Sequence, residues 1–414
     1  MQTDLAPQYR DTATGQRAEA ILRQCVHCGF CNATCPTYQL LGDELDGPRG
    51  RIYQIKAVLE GQPATRITQQ HLDRCLTCRN CETTCPSGVA YGELLEIGRE
   101  VVEQQVARPW NERAARKLLQ DGLTSAAFGP AVKAGQVLRR WLPASLSDKL
   151  PPASPSPRPE AAAPPEHSRQ VWLLEGCVQP SLAPDINAAA RRVLHRAGIT
   201  ARSAPQAGCC GAIALHLGHT ADALVFMRRN IDAWWPAIAQ GQVEGLVMTA
   251  SGCGVTVKDY GRLLAHDPAY AERAAAISQR THDLTEWAST LVTALPERPL
   301  QGLALVAHPP CTLQHGQKLP NALENVLQAL GADVRPARHD AHLCCGSAGT
   351  YAVLQPELAT ALRTRKLAAL APTPGDTIVS ANVGCIQHLQ ATSPVPVRHW
   401  VTVLDDALRA SLPT

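Results

Sequence analysis

From Cys25 to Pro36 the chain reads CVHCGFCNATCP, four cysteines separated by two, two and three residues and followed at once by proline. The same pattern returns from Cys75 to Pro86 as CLTCRNCETTCP. Three thiolates this closely spaced can close over three irons of one iron-sulfide cubane. The fourth cysteine, carried past a helical turn, points elsewhere, and where two such runs share a domain it ligates the other cluster. Cys25, Cys28, Cys31 and Cys85 are therefore read as one 4Fe-4S set, and Cys75, Cys78, Cys81 and Cys35 as the second. Two other chemistries compete. A structural zinc site gathers two well-separated cysteine pairs, whereas here a third cysteine crowds each pair. A disulfide framework belongs to small, secreted, loop-rich chains.

With 414 residues, 45% of them hydrophobic, the chain can form two or three domains with their own cores. Its formal charge is only +3 and no dense Lys/Arg run appears, so nucleic acid is not an expected partner. The opening MQTDLAPQYRDTATGQR lacks the charged and apolar regions of a secretory signal, and no apolar run approaches the ~20 residues of a spanning helix. A cytoplasmic protein is expected, free or peripheral on the cytoplasmic face of the inner membrane. In that reducing compartment 16 cysteines serve better as metal ligands than as disulfide partners.

The elements that must position the first eight cysteines are helical. AEAILRQ, residues 18 to 24, ends a helix that delivers Cys25, and YQIKAVLE, residues 53 to 60, lies between the two runs. Ahead of the latter, Asp46-Gly-Pro-Arg-Gly-Arg51 is a turn into a helix start, whose free N–H groups and two arginines can face an anionic cluster or remain solvated. Residues 91 to 141 read as helix, broken near Pro109 and between Gly122 and Pro130. Residues 131 to 142, AVKAGQVLRRWL, are basic on one side and apolar on the other, suited to packing on the domain core or to touching a membrane surface. Residues 143 to 169 are rich in proline, alanine and serine and read as a semi-extended linker.

Beyond the linker the sequence is duplicated. The first copy opens with a strand, VWLLEGC, ending at Cys177, continues through a helix near Ile186 to Ala197, reaches Cys209-Cys210-Gly211 and closes at Ser251-Gly-Cys253. The second opens with LALVAHPPC ending at Cys311, has its helix near Leu323 to Leu330, reaches Cys344-Cys345-Gly346 and closes at Cys385. Further strands are expected at 245 to 251 and 377 to 382, giving parallel α/β units whose functional groups gather at strand carboxyl ends. Each copy can thus converge four sulfurs, as one or two further iron-sulfur or zinc sites. Buried free cysteine explains isolated thiols but not duplicated quartets. His308, His315, His342 and His388 stand nearby as donors to sulfur or as structural histidines. Trp234-Trp235 reads as helix packing. The overall class is α+β and α/β: a mostly helical two-cluster domain over 1–142, the linker 143–169, and cysteine-rich α/β domains over 170–298 and 299–414.

The stretches LLEGCVQPSLAP, AGCCGAI, RNIDAWWPAI, TASGCGVTVKDYG, HPPCTLQHGQKL, AHLCCGSAGTY and VRHW, together with the two cysteine runs, resemble the iron-sulfur subunits of glycolate oxidase along nearly the whole chain. The resemblance implies a ferredoxin-like electron carrier working beside FAD-binding subunits that oxidise glycolate to glyoxylate, with a quinone or other membrane acceptor downstream. Cys-Cys-Gly domains also occur in lactate-utilisation proteins, anaerobic glycerol-3-phosphate dehydrogenase and heterodisulfide reductases. In the last of these each copy ends on Cys-x2-Cys, whereas here Cys253 and Cys385 stand alone. No Gly-x-Gly-x-x-Gly follows an expected strand, so no flavin or other dinucleotide is assigned to this chain, and no catalytic residue either.

Overall fold

The computed structural model describes residues 1–141 and 166–411. Residues 143–165 of the expected linker lie outside the described residues, and its last residue, Arg169, already begins the first strand. Two compact units emerge. One comprises Met1–Leu118, Ile213–Thr220 and His342–Lys366, and the other Leu119–Ala212, Ala221–Ala341 and Leu367–Thr414. This division cuts across the expected domain ranges, because a short stretch of each cysteine-rich copy clusters with the first unit.

The first unit is helical. Helix Ala13–Gln24, capped by the Thr12 side chain on the Gly15 amide, buries Ala18, Ile21 and Leu22 and stops at Cys25. Helix Arg66–Asp73, with a Thr65/Thr68 capping box, plays the same part before Cys75. Helices Pro48–Leu59 and Tyr91–Gln105 close the core, pressing Ile52, Ile55, Val58 and Leu59 against Leu94, Leu95, Val101 and Val102. Cys25 and Cys81 sit in this same apolar cluster, so the metal-ligating loops are built onto the core rather than appended to it.

The second unit carries two four-stranded parallel sheets. Strands β1 Arg169–Leu173, β2 Ile199–Arg202, β3 Leu246–Met248 and β4 Thr281–Asp283 are ordered β2-β1-β3-β4. Strands β5 Ala304–His308, β6 Asp333–Arg335, β7 Thr377–Ser380 and β8 Val397–His399 repeat that order as β6-β5-β7-β8. The central strands are apolar on both faces, as parallel strands covered by helices must be: Leu246, Val247 and Met248 in one sheet, Ile378 and Val379 in the other. The sheets meet at their carboxyl ends, where the Ser251 amide donates to the Ala381 carbonyl and the Ser251 and Thr312 hydroxyls lie 2.7 Å apart.

Helix Phe128–Leu138 and the tight turn Arg139–Trp141 occupy the segment read as amphipathic. Only Val132 of this helix is buried, while Val137, Leu138 and Trp141 are 77%, 51% and 74% exposed. Among the described residues no helix is long and apolar enough to cross a membrane.

Candidate metal centres

Each cysteine run winds through two residues of left-handed backbone at equivalent positions, His27 and Gly29 in the first, Thr77 and Arg79 in the second. Alternating backbone hands turns successive N–H groups into one concavity, a nest suited to an anion. Glycine takes this conformation freely. Arg79 holds the same place as Gly29 at a cost of about 1 kcal/mol. A short helix then starts in each run, Phe30–Ala33 and Asn80–Thr84. Because Pro36 and Pro86 follow, Cys35 and Cys85 are held extended, at φ −81°, ψ 117° and φ −75°, ψ 116°. That turn throws the fourth cysteine away from its own run.

The destination is visible in two hollows. The first, of about 440 Å³, is lined by Cys25, Cys28, Cys31 and Cys85 with Val26, Phe30 and Val89, and Cys81 reaches its wall. The second, of about 300 Å³, is lined by Cys35, Cys75, Cys78 and Cys81. Pro48 and Tyr91 border both. Burial pushes the Cys31 thiol up to about 11, and the neighbouring Cys25, Cys85 and Cys28 add to it. Burial likewise raises Cys81, followed by the charges of Cys78 and Cys75, with Cys35 further down. Thiols gathered this way cannot all ionise on their own. A multivalent, thiophilic cationic core relieves the repulsion, and a ring of sulfurs set back around empty space fits such a core.

The arginines flagged at the helix start divide between the hollows. Arg49 lines the first and is paired with Glu44, Nε to Oε1 at 2.6 Å. Arg51 lines the second, fully buried, donating to the His71 carbonyl at 2.7 Å and lying 3.3 Å from Asp46. Asp46 also meets Arg74 at 2.8 Å and His71 Nδ1 at 3.0 Å. Sequence reasoning missed Tyr91, Thr37 and this buried network, because nothing in the spacing of a lone tyrosine or aspartate marks it. Tyr351, also in the first unit, has a buried hydroxyl that burial and then the Cys75 charge push well up.

In the second unit Cys177, Cys209, Cys210 and Cys253 come together. Cys209 neighbours Cys177 and Cys210, and Cys210 in turn neighbours Cys253. Donation from Cys177 and Cys210 holds the Cys209 thiol well below its ordinary range, while Cys177 and Cys210 are raised. Cys177 lies in the loop beyond β1, but Cys253 rides on the first turn of helix Ser251–Lys258 and Cys385 on helix Val383–Gln390. Two residues of loop and the onset of a helix thus separate each of these cysteines from its strand.

The Cys-Cys-Gly turns of the two copies share one geometry. Gly211 and Gly346 both have φ +93°, and their amides donate to the sulfurs of Cys209 and Cys344 at 3.4 Å. A Cβ at Gly346 would meet the Ala359 carbonyl at 2.6 Å, so a side chain is excluded there. Asn230, from RNIDAWWPAI, fixes the first turn: it accepts from the Gly208 amide at 2.8 Å and donates to the Cys209 carbonyl at 2.9 Å. Tyr260 donates to the Cys210 carbonyl at 2.8 Å. Trp234 is fully buried against Tyr260, as packing requires. Of the second quartet, Cys311 and Cys385 belong to the second unit, and Cys344 and Cys345 to the first. Asn382 donates to Cys385 Sγ at 3.4 Å. Among the flagged histidines, His308 is buried with Nδ1 3.0 Å from the Ser380 hydroxyl, His315 is buried, and the His342 carbonyl accepts from Asn80 at 3.3 Å.

Comparison with known proteins matches residues 21–89 to a 4Fe-4S dicluster domain, and residues 171–258 and 305–390 each to a cysteine-rich domain. The chain is 51% identical to the glycolate oxidase iron-sulfur subunit of Escherichia coli over 99% of both chains. It is 31% identical to a probable glycolate oxidase iron-sulfur subunit of Bacillus subtilis, over 90% of this chain and 89% of that one. Lactate utilization protein A of Bacillus licheniformis shares 24% identity over 57% of this chain and 99% of its own.

Proposed function

Since the chain belongs to the family of glycolate oxidase iron-sulfur subunits, we propose that it is the electron conduit of a complex oxidising glycolate to glyoxylate. It would receive electrons from FAD-binding partner subunits and pass them toward a quinone. The observation that carries this reading is the pair of hollows, each ringed by three cysteines of one run and the fourth of the other. Cys25, Cys28, Cys31 and Cys85 would hold one 4Fe-4S cluster, and Cys75, Cys78, Cys81 and Cys35 the second. Bound there, each cluster takes up and returns single electrons.

The chain's own residues prepare these places. The left-handed positions of each run fold its N–H groups inward, the positive end of helix Pro48–Leu59 faces both hollows at Pro48, and the buried Ile52 and Val89 close the core side of the first. Cys177, Cys209, Cys210 and Cys253 would form a further metal or iron-sulfur site. The quinone acceptor would be met at the cytoplasmic face of a membrane, a contact supported by the exposed Val137, Leu138 and Trp141.

Anaerobically purified protein should hold about eight irons in its first unit. Cys85→Ser should damage the cluster of Cys25, Cys28 and Cys31, read by electron paramagnetic resonance, and spare the one nearer in sequence. Loss of the signal belonging to Cys75, Cys78 and Cys81 instead would sink the crossed ligation.

A further inference from the structure

The two hollows differ in what faces their sulfurs. At the second, the Tyr91 hydroxyl donates to Cys75 Sγ at 3.5 Å, the Thr77 amide donates to the same sulfur at 3.5 Å, and the Thr37 hydroxyl lies 3.3 Å from Cys35 Sγ. Arg51, fully buried, lines this hollow with Nη1 donating to that same hydroxyl at 3.2 Å. A guanidinium keeps its charge even when buried, and here the Asp46 carboxylate lies 3.3 Å from it. Asp46 offers one carboxylate to two guanidinium groups, Arg51 and Arg74, so positive charge remains in excess.

Nothing comparable stands at the first hollow. Among the described residues no side chain donates to the sulfurs of Cys25, Cys28, Cys31 or Cys85, where the one side-chain bond runs from Cys31 to Asn32. The arginine there, Arg49, is tied to Glu44. Cys28 is exposed, and Val26 and Phe30 beside it are 69% and 61% exposed, so solvent itself can answer charge at this site.

Adding an electron to a cluster in a buried, low-dielectric place is opposed by desolvation, and fixed donors and cations are what offset it. We propose that Tyr91 and Arg51, with Asp46 as the opposing charge, set the reduction potential of the cluster held by Cys35, Cys75, Cys78 and Cys81 and keep that buried cluster reducible, with no equivalent residues acting on the first. Tyr91 and Arg51 act through ligand sulfur and through the local field, as tuning groups rather than ligands. The inference rests on the two-cluster reading above.

The test is a redox titration of the anaerobically reconstituted full chain, followed by electron paramagnetic resonance, with Cys28→Ala used to identify the signal of the first cluster. Tyr91→Phe keeps the ring that borders both hollows and removes one donor, and should move the second cluster to lower potential while the first stays in place. Asp46→Asn keeps the shape and removes one negative charge, and should move the second cluster to higher potential. Opposite shifts from two near-isosteric changes are not what a general loosening of the fold produces. Two intact signals that ignore both substitutions, or that move together, would overturn the inference alone. An iron content of about half that expected for two clusters in the unsubstituted protein would overturn the two-cluster reading and the inference with it. Should Asp46→Asn fail to retain iron, Tyr91→Phe decides by itself.

Discussion

Asn230 is fully buried and uses both ends of its amide, accepting from Gly208 and donating to the Cys209 carbonyl and the Tyr260 hydroxyl. A buried backbone N–H and C=O left unmade cost about 1–3 kcal/mol each. Asn230→Ala should therefore lower stability by about 2–6 kcal/mol and release the metal proposed for the quartet of Cys177, Cys209, Cys210 and Cys253. Metal analysis beside the resonance signals of the first unit separates the effects: unchanged metal at the quartet would show that the turn needs no such clamp. At this scale the sequence was very legible in its cysteines, because ligand chemistry fixes both residue type and spacing. It was mute about Asn230, Tyr91 and Asp46, whose roles depend on burial and on partners distant in the chain.

The stretch VRHW illustrates the scale of elements. His399 ends β8 and starts helix Trp400–Ala410, accepting the Val401 amide at Nδ1 and donating from Nε2 to the Thr249 carbonyl at 2.8 Å. It thereby ties the second sheet to the end of β3 in the first. Both ring nitrogens are engaged in the neutral form, and burial pushes the group down to about 4 from 6.5, the Thr249 contact acting weakly the other way. Between those values the unfolded chain binds a proton that the fold refuses, so stability falls as pH drops from 6.5 toward 4, by on the order of 3 kcal/mol. Asp283, raised to about 6 by burial, has the opposite sign, contributing stability at low pH that fades as pH rises through its folded value. Comparing His399→Gln with the parent at pH 5 and pH 7 isolates the histidine: the variant should be less stable at pH 7 but show a smaller acid loss in denaturant unfolding. An identical acid loss would rule the histidine out. The helices near 186–197 and 323–330 and the apolar central strands were readable from periodicity and from runs such as LVM and TIVS, whereas helices Pro356–Leu370 and Trp400–Ala410 were not read. The edge strands β2, β4, β6 and β8 were not, since ITAR, THD, DVR and VRH carry charged and polar residues and no apolar run to set them apart from a loop.

For the whole molecule, removing two electrons from a 2-hydroxy acid calls for a hydride or carbanion acceptor such as flavin. The groups assembled here are thiols, guanidinium groups and backbone amides, which suit single-electron carriage. The isolated chain should accordingly show no glycolate oxidation with dye or quinone acceptors, and activity should appear on adding flavoprotein partners. Robust turnover by the chain alone would end the conduit reading. The duplication was legible because the four cysteines recur in order, and both sheets indeed share one strand order. The partition into compact units was not, because it depends on where short segments dock.

That partition bears on how the protein is made. The first unit begins at Met1 but includes Ile213–Thr220 and His342–Lys366. A ribosome releases all eight cysteines of the two runs early, at roughly 5–20 residues per second, yet the unit that houses them is complete only once residue 366 has emerged. For that interval the nascent thiols stand in an unfinished housing. A message truncated before that point therefore yields a chain that has every ligand of both runs and every residue lining the two hollows, but not the whole compact unit to which they belong.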